Sequence, residues 1–203
     1  MLRLYDSRLS GNAWKVRILL NQLQIAFERV TLDLAKGELN RPEVAQKARF
    51  KRIPILELDD GRTLVESSAI LLYLAEASPL LPSDSYLRAD ITSWLFFEQF
   101  DLTRALGFPR FFKLRGVYEE QKDKVRFFQE IGYAGLNKLE DWLNRHAFLV
   151  DERYTLADLG VFPYVSLAHE GGYEMERFPA TKAWLARIAS QPRFIPMLEG
   201  AKG

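Results

Sequence analysis

The chain has 203 residues, 48% hydrophobic and 27% charged, which suits an ordinary globular protein of one large or two small domains. Its 28 basic and 27 acidic residues leave a net charge of +1, which argues against a nucleic-acid or anionic-membrane surface. It has no cysteine, so disulfides, thiolate nucleophiles and zinc–thiolate sites of its own are excluded.

Taken in order, Leu2 to Tyr5 alternates and predicts a short strand. Asp6 to Asn12 is rich in turn formers. Ala13 to Leu23 predicts a helix with Val16, Leu19, Leu20 and Leu23 on one face. Ile25 to Leu32 alternates again. A β-α-β order implies two parallel strands. Residues 35–50 are a polar, basic connection with one helical turn after Pro42.

Residues 52–76 carry the densest signals. Ile53-Pro54 precedes an apolar run, Asp59-Asp60-Gly61 marks a turn, and Thr63-Leu64-Val65 predicts the returning strand. Glu66-Ser67-Ser68 then opens a helix, and a Ser-rich helix start is a natural anion site. A structural cap is the plainer use of these residues, and of Ser10 and Asn12.

Ser78 to Tyr86 holds two prolines and reads as a linker. Beyond it, Leu87–Phe100, Val117–Trp142, Leu156–Ala168 and Ala180–Ala189 predict helices, without strand alternation. Thr155 and Asp158 have the spacing of a capping box. The expected fold class is α/β plus all-α: a βαβ–ββα domain over 1–77, a linker at 78–86 and a helical domain over 87–203. His146 and His169 are isolated, so no metal site is expected. The start of the chain lacks an apolar signal core and no run approaches the ~18–20 apolar residues of a membrane span. A cytoplasmic protein is the expectation.

The order of Ile-Pro before the third strand, Glu-Ser at the next helix start, Trp94 to Gln99, Thr155-Leu156-Ala157-Asp158 and Phe178 to Trp184 resembles the cytosolic glutathione transferases, of a serine-type or bacterial Ser/Thr-x-Asn type. The resemblance implies a thioredoxin-like first domain that binds glutathione as co-substrate, with Pro54 cis. Ile53 would pair with the peptide's backbone, and Glu66 and Ser67 would hold its γ-glutamyl end. Ser10, with Asn12 as second candidate, would face the thiol. Where the family carries a Pro- and Gly-containing turn, residues 48–52 read Ala-Arg-Phe-Lys-Arg, and Arg52, Lys36 or Lys51 would meet the glycyl carboxylate.

The resemblance further implies a homodimer, with Gln99 and Asp101 reaching the partner's peptide. A small hydrophobic electrophile would be lined by Leu9, Trp14, Phe97, Phe100, Leu106, Phe108, Phe111 and Phe112. The implied activity is conjugation of the glutathione thiolate to such electrophiles, with peroxidase or disulfide-reductase activity as a companion. A non-catalytic regulator or scaffold of the same fold, and a glutathione-dependent isomerase, are the alternatives.

Overall fold

The computed structural model describes residues 1–198, and the chain divides into two units, the first 1–78 together with the segment from Gln191, the second Pro79–Ser190. Among the described residues no helix is long and apolar enough to cross a membrane.

The first unit is built on a four-stranded sheet ordered β2-β1-β3-β4. Strands β1 (Leu2–Asp6) and β2 (Phe27–Thr31) are parallel and joined by helix α1 (Gly11–Gln22). The short helix α2 (Pro42–Ala45) follows, with Pro42 at its start where no N–H is needed. Strands β3 (Ile55–Glu57) and β4 (Thr63–Val65) form the expected hairpin, with Ile55 opposite Val65. Gly61 supplies the turn's left-handed residue, at φ 84°. Helix α3 (Ser67–Leu74) completes the βαβ–ββα order and contacts α1.

Alternation along the strands divides the apolar residues between two faces. Tyr5 and Ile55 join Leu32, Val44 and Ala48 in one cluster, whereas Leu4 and Leu56, fully buried, point the other way. A polar clamp closes the first face. The Tyr5 hydroxyl donates to Glu57 Oε2 at 2.8 Å, and the Lys47 ammonium hydrogen-bonds the other carboxylate oxygen. Lys47, then Tyr5, hold the Glu57 carboxyl below its ordinary range of about 4.5. Glu57 therefore contributes stability that is present above pH 4.5 and lost as pH falls through its depressed native pKa. We expect Glu57→Gln to cost about 1–2 kcal/mol at neutral pH. In urea denaturation the gap between variant and parent should close in acid; a gap unchanged at pH 3 contradicts this.

Residues 191–198 do not extend the helical unit, as an all-α domain over 87–203 had implied. They lie along α1, whose side chains grip their backbone carbonyls. Trp14 Nε1 donates to Ile195 at 2.9 Å, an Arg17 terminal nitrogen to Met197 at 2.7 Å, and Asn21 Nδ2 to Arg193 at 2.6 Å. Arg17 is buried and its Nε lies 3.2 Å from Asp6, which also accepts from Arg29 at 2.8 Å. Burial, then the neighbouring Arg29, pulls the Arg17 guanidinium down to about 10 against the attraction of Asp6.

The second unit begins within the stretch read as linker. Leu81 is buried, and the Leu80 carbonyl accepts from Leu156 N–H at 2.9 Å. Helix α4 (Ser85–Phe97) starts at the Asp84 cap and widens into a π-turn at Glu98–Leu102, where the sequence pattern runs on as a regular helix. Helix α5 (Thr103–Leu114) comes next, then α6 (Lys122–Leu143), α7 (Leu156–Ser166) and α8 (Pro179–Ala189). Tyr173 ties this unit together by donating to the carbonyls of Ala105 and Phe128.

At the head of α7 the Thr155–Asp158 capping box forms. The Asp158 carboxylate does more than cap. It accepts from the N–H groups of Thr155 and Leu149, the Thr155 hydroxyl and the Trp184 indole, all at 2.9–3.2 Å. All four residues are fully buried.

Candidate functional site

Three pieces of the first unit carry the polar residues singled out from the sequence: the start of α1, the approach to β3 and the start of α3. Ser10 is the N-cap of α1, in extended backbone conformation, and its Oγ accepts from Ala13 N–H at 3.2 Å. Accepting leaves the hydroxyl proton available to donate. Asn12 follows one residue into the helix. Its Oδ1 accepts from the Ser67 hydroxyl at 3.2 Å, so the two helix starts meet through this bond.

Ser67 is the first residue of α3 and only 3% exposed. Before it, Glu66 is held at φ 69°, ψ 116°, a conformation that costs a non-glycine residue about 1–3 kcal/mol. Such strain survives only where surrounding structure enforces it. No side chain caps α3, and neither α1 nor α3 carries an acidic residue in its first turn. The first turns of both helices therefore bring no acidic side chain against an anion, and Glu66, at the N-cap position of α3, is paired with Arg52.

The Ile53–Pro54 peptide is cis, Pro54 is buried, and the Ile53 side chain packs against the Tyr5 cluster. Arg52 is exposed and pairs with Glu66, its terminal nitrogen 2.7 Å from Oε1. The approach to β3 needs no Pro or Gly, because Lys51 itself adopts φ 52° and its N–H closes a turn onto the Ala48 carbonyl at 2.7 Å. Arg49 and Arg52 both lie about 6 Å from the exposed Phe50 ring.

Lys36 stands apart from these groups. Its ammonium is 3.4 Å from Asp33, whose carboxylate also accepts the Lys36 N–H, and the side chain is otherwise in solvent. Trp14 and Leu106, expected to line an apolar substrate, are core residues at 6% and 1% exposure. Leu9, Phe100, Phe108 and Phe111 are exposed. Within the second unit Asp101 pairs with Lys138 at 2.7 Å and the Gln99 amide donates to Glu98 at 2.8 Å.

Two links were not foreseen from the sequence. The Asn12–Ser67 bond joins residues 55 apart, and the Lys47–Glu57–Tyr5 clamp fixes the segment leading into the cis peptide. The strand alternation around Tyr5 and Glu57 held a trace of the second, since their register puts the two close on adjacent strands. Nothing local signals the first.

Residues 4–82 match the glutathione S-transferase N-terminal domain model and 89–192 the C-terminal domain model. The chain is similar to the disulfide-bond oxidoreductase YfcG of Escherichia coli, 30% identical over 190 residues, covering 89% of this chain and 87% of that protein. Among solved structures it superposes on a glutathione S-transferase from Pseudomonas fluorescens with a TM-score of 0.95, 36% identity and coverage of 98% and 99% of the two chains. It also superposes on the glutathione transferase URE2P6 from Phanerochaete chrysosporium, solved in complex with oxidized glutathione, with a TM-score of 0.82, 27% identity and coverage of 95% and 92%. With both family domains matched in order on a thioredoxin-like sheet followed by a helical unit, the chain belongs to the glutathione S-transferase family.

Proposed function

We propose that the protein binds glutathione at the joined starts of α1 and α3 and holds its sulfur as a thiolate. The observation that carries this reading is the meeting of two helix N-termini, neither neutralised by an acidic first turn, through the Asn12–Ser67 bond. In this reading a γ-glutamyl carboxylate sits on the free N–H groups of α3 and the ammonium beside it on Glu66. The Ile53 backbone, next to the cis Pro54, pairs with the cysteinyl unit. Arg52 exchanges its Glu66 contact for the glycyl carboxylate, and Lys36 serves that carboxylate only from a distance.

A thiol of pKa about 8.5 is mostly protonated at pH 7, and lowering it by two units takes about 2.7 kcal/mol of preferential thiolate stabilisation. Ser10 and Asn12 as donors, with the α1 dipole, are of the right size to supply it. The thiol proton goes to solvent. The thiolate then forms a sulfur–carbon bond to a small hydrophobic electrophile, whose leaving group departs with its electron pair.

A second reading is thiol–disulfide chemistry, favoured by the similarity to the oxidoreductase YfcG. The thiolate attacks a disulfide, one sulfur leaves as thiolate, and a second glutathione releases the other, giving oxidised glutathione. The chain has no cysteine, so both sulfurs come from glutathione. Calorimetric titration with glutathione, followed by turnover of an activated aryl halide and of a small disulfide, tests both. Saturable binding with turnover of at least one substrate is expected. Absence of binding at millimolar glutathione, or binding without any turnover, overturns the catalytic reading.

A further inference from the structure

Pro109 lies in the interior of α5, where a residue sends its N–H to the carbonyl four places back. It has no N–H, and its ring crowds the Ala105 carbonyl, so that carbonyl is left without a helical donor. Ala105 is buried, and an unmet carbonyl there is costly. The Tyr173 hydroxyl supplies the missing donor at 2.8 Å. The same hydroxyl lies 3.1 Å from the carbonyl of Phe128 in α6, which has its own helical donor in the Gly132 N–H. Gly132 also keeps room for it, since a Cβ there would fall 2.3 Å from the Tyr173 oxygen. Burial, then the neighbouring Tyr133 and Tyr118, holds the phenol above its ordinary pKa, so it stays a donor.

The hydroxyl thus holds the part of α5 that carries Phe108, Phe111 and Phe112. Phe108 stacks on Phe128 with ring centroids 4.8 Å apart and on Phe112 at 6.0 Å, while Phe108 and Phe111 are exposed. We propose that Tyr173 is a positioning residue for this aromatic face: by standing in for the Pro109 N–H and tying α5 to α6 at Phe128, it fixes the orientation in which Phe108 and Phe111 receive a flat, apolar electrophile. The inference rests on the glutathione reading above and adds to it what sets the shape of the electrophile's side. Tyr173 is itself buried, so its effect on a substrate passes through these rings. Arg110 holds the same segment separately, through Glu170 at 2.6 Å, so loss of the hydroxyl loosens the face without releasing the helix.

The test is steady-state turnover of an activated aryl halide with glutathione by the full chain, in the parent, Tyr173→Phe, Pro109→Ala and the Pro109→Ala/Tyr173→Phe double variant. Glutathione affinity is measured alongside by calorimetry. Tyr173→Phe, which removes only the hydroxyl, should raise KM for the aryl halide about tenfold and leave kcat and the glutathione Kd within about twofold. Pro109→Ala returns an N–H to the Ala105 carbonyl, so in that background the Tyr173 substitution should change KM by less than about twofold. An unchanged KM in Tyr173→Phe, a parallel loss of kcat and glutathione affinity, or an equal rise of KM in the Pro109→Ala background overturns the inference alone. Should Tyr173→Phe fail to fold, the double variant should recover folding and the KM of Pro109→Ala; a double variant that also fails overturns the inference. A parent protein that binds glutathione but turns over no aryl halide overturns this inference, and one that binds no glutathione overturns the functional reading and this inference with it.

Discussion

Replacing Asp158 by alanine should cost the protein about 4 kcal/mol or more, the largest loss expected from any single side chain of the helical unit. The carboxylate is fully buried and accepts from two backbone N–H groups, a hydroxyl and an indole. Removing it strands donors that were satisfied, and each unsatisfied buried donor costs about 1–3 kcal/mol. The partners come from the 149–155 loop, the head of α7 and Trp184 of α8, so one substitution loosens three elements. Thr155→Ala removes one of the four and should stay within the usual 0.5–2 kcal/mol of a lost cap. Exposed ion pairs such as Lys182–Glu176, screened by solvent, should contribute far less. Urea denaturation of the full chain separates these cases. A loss below 1 kcal/mol in Asp158→Ala would show that the hub is not what fixes the start of α7.

Asn12→Ala should lower kcat/KM for glutathione-dependent turnover about a hundredfold, the size typical of removing one donor to a developing or resting anion. It also leaves the Ser67 hydroxyl buried without its acceptor, so some loss of stability accompanies it. Ser10→Ala should cost less activity. Its oxygen already serves as the α1 cap, and loss of that cap is worth about 0.5–2 kcal/mol of stability. The family resemblance implies Ser10 as the first candidate to face the thiol. The observed bond between Asn12 and Ser67 moves the larger expected effect to Asn12. The opposite ranking of the two variants would return the leading role to Ser10.

The first unit was largely legible because its signals are local. Alternation marks β1 and β2, Asp-Gly marks the hairpin between β3 and β4, and Glu-Ser-Ser marks the start of α3. The sequence pattern does not mark helix α5, because Gly107 and Pro109 interrupt Thr103–Leu114, two residues that weaken a helix by intrinsic preference. Burial of Pro109, with Leu106 and Arg110, outweighs that preference. The segment 191–198 shows no periodicity, since α1 holds it by its backbone carbonyls, which carry no trace in side-chain pattern. The candidate site was legible residue by residue and not as a site. Ser10, Asn12, Glu66 and Ser67 each sit at a recognisable helix start, while the contact of Asn12 with Ser67 depends on how α1 and α3 pack. Lys36 and Arg52 read alike in sequence as basic loop residues. Only the fold separates Arg52, paired with Glu66, from Lys36, turned toward Asp33.

A crystal structure of the full protein with glutathione bound tests the central claim most directly. The sulfur should lie within hydrogen-bond distance of Asn12 Nδ2, with Ser10 Oγ as its neighbour, and the γ-glutamyl carboxylate on the N–H groups at the start of α3. A peptide bound away from α3, or a sulfur turned from both Asn12 and Ser10, would contradict it.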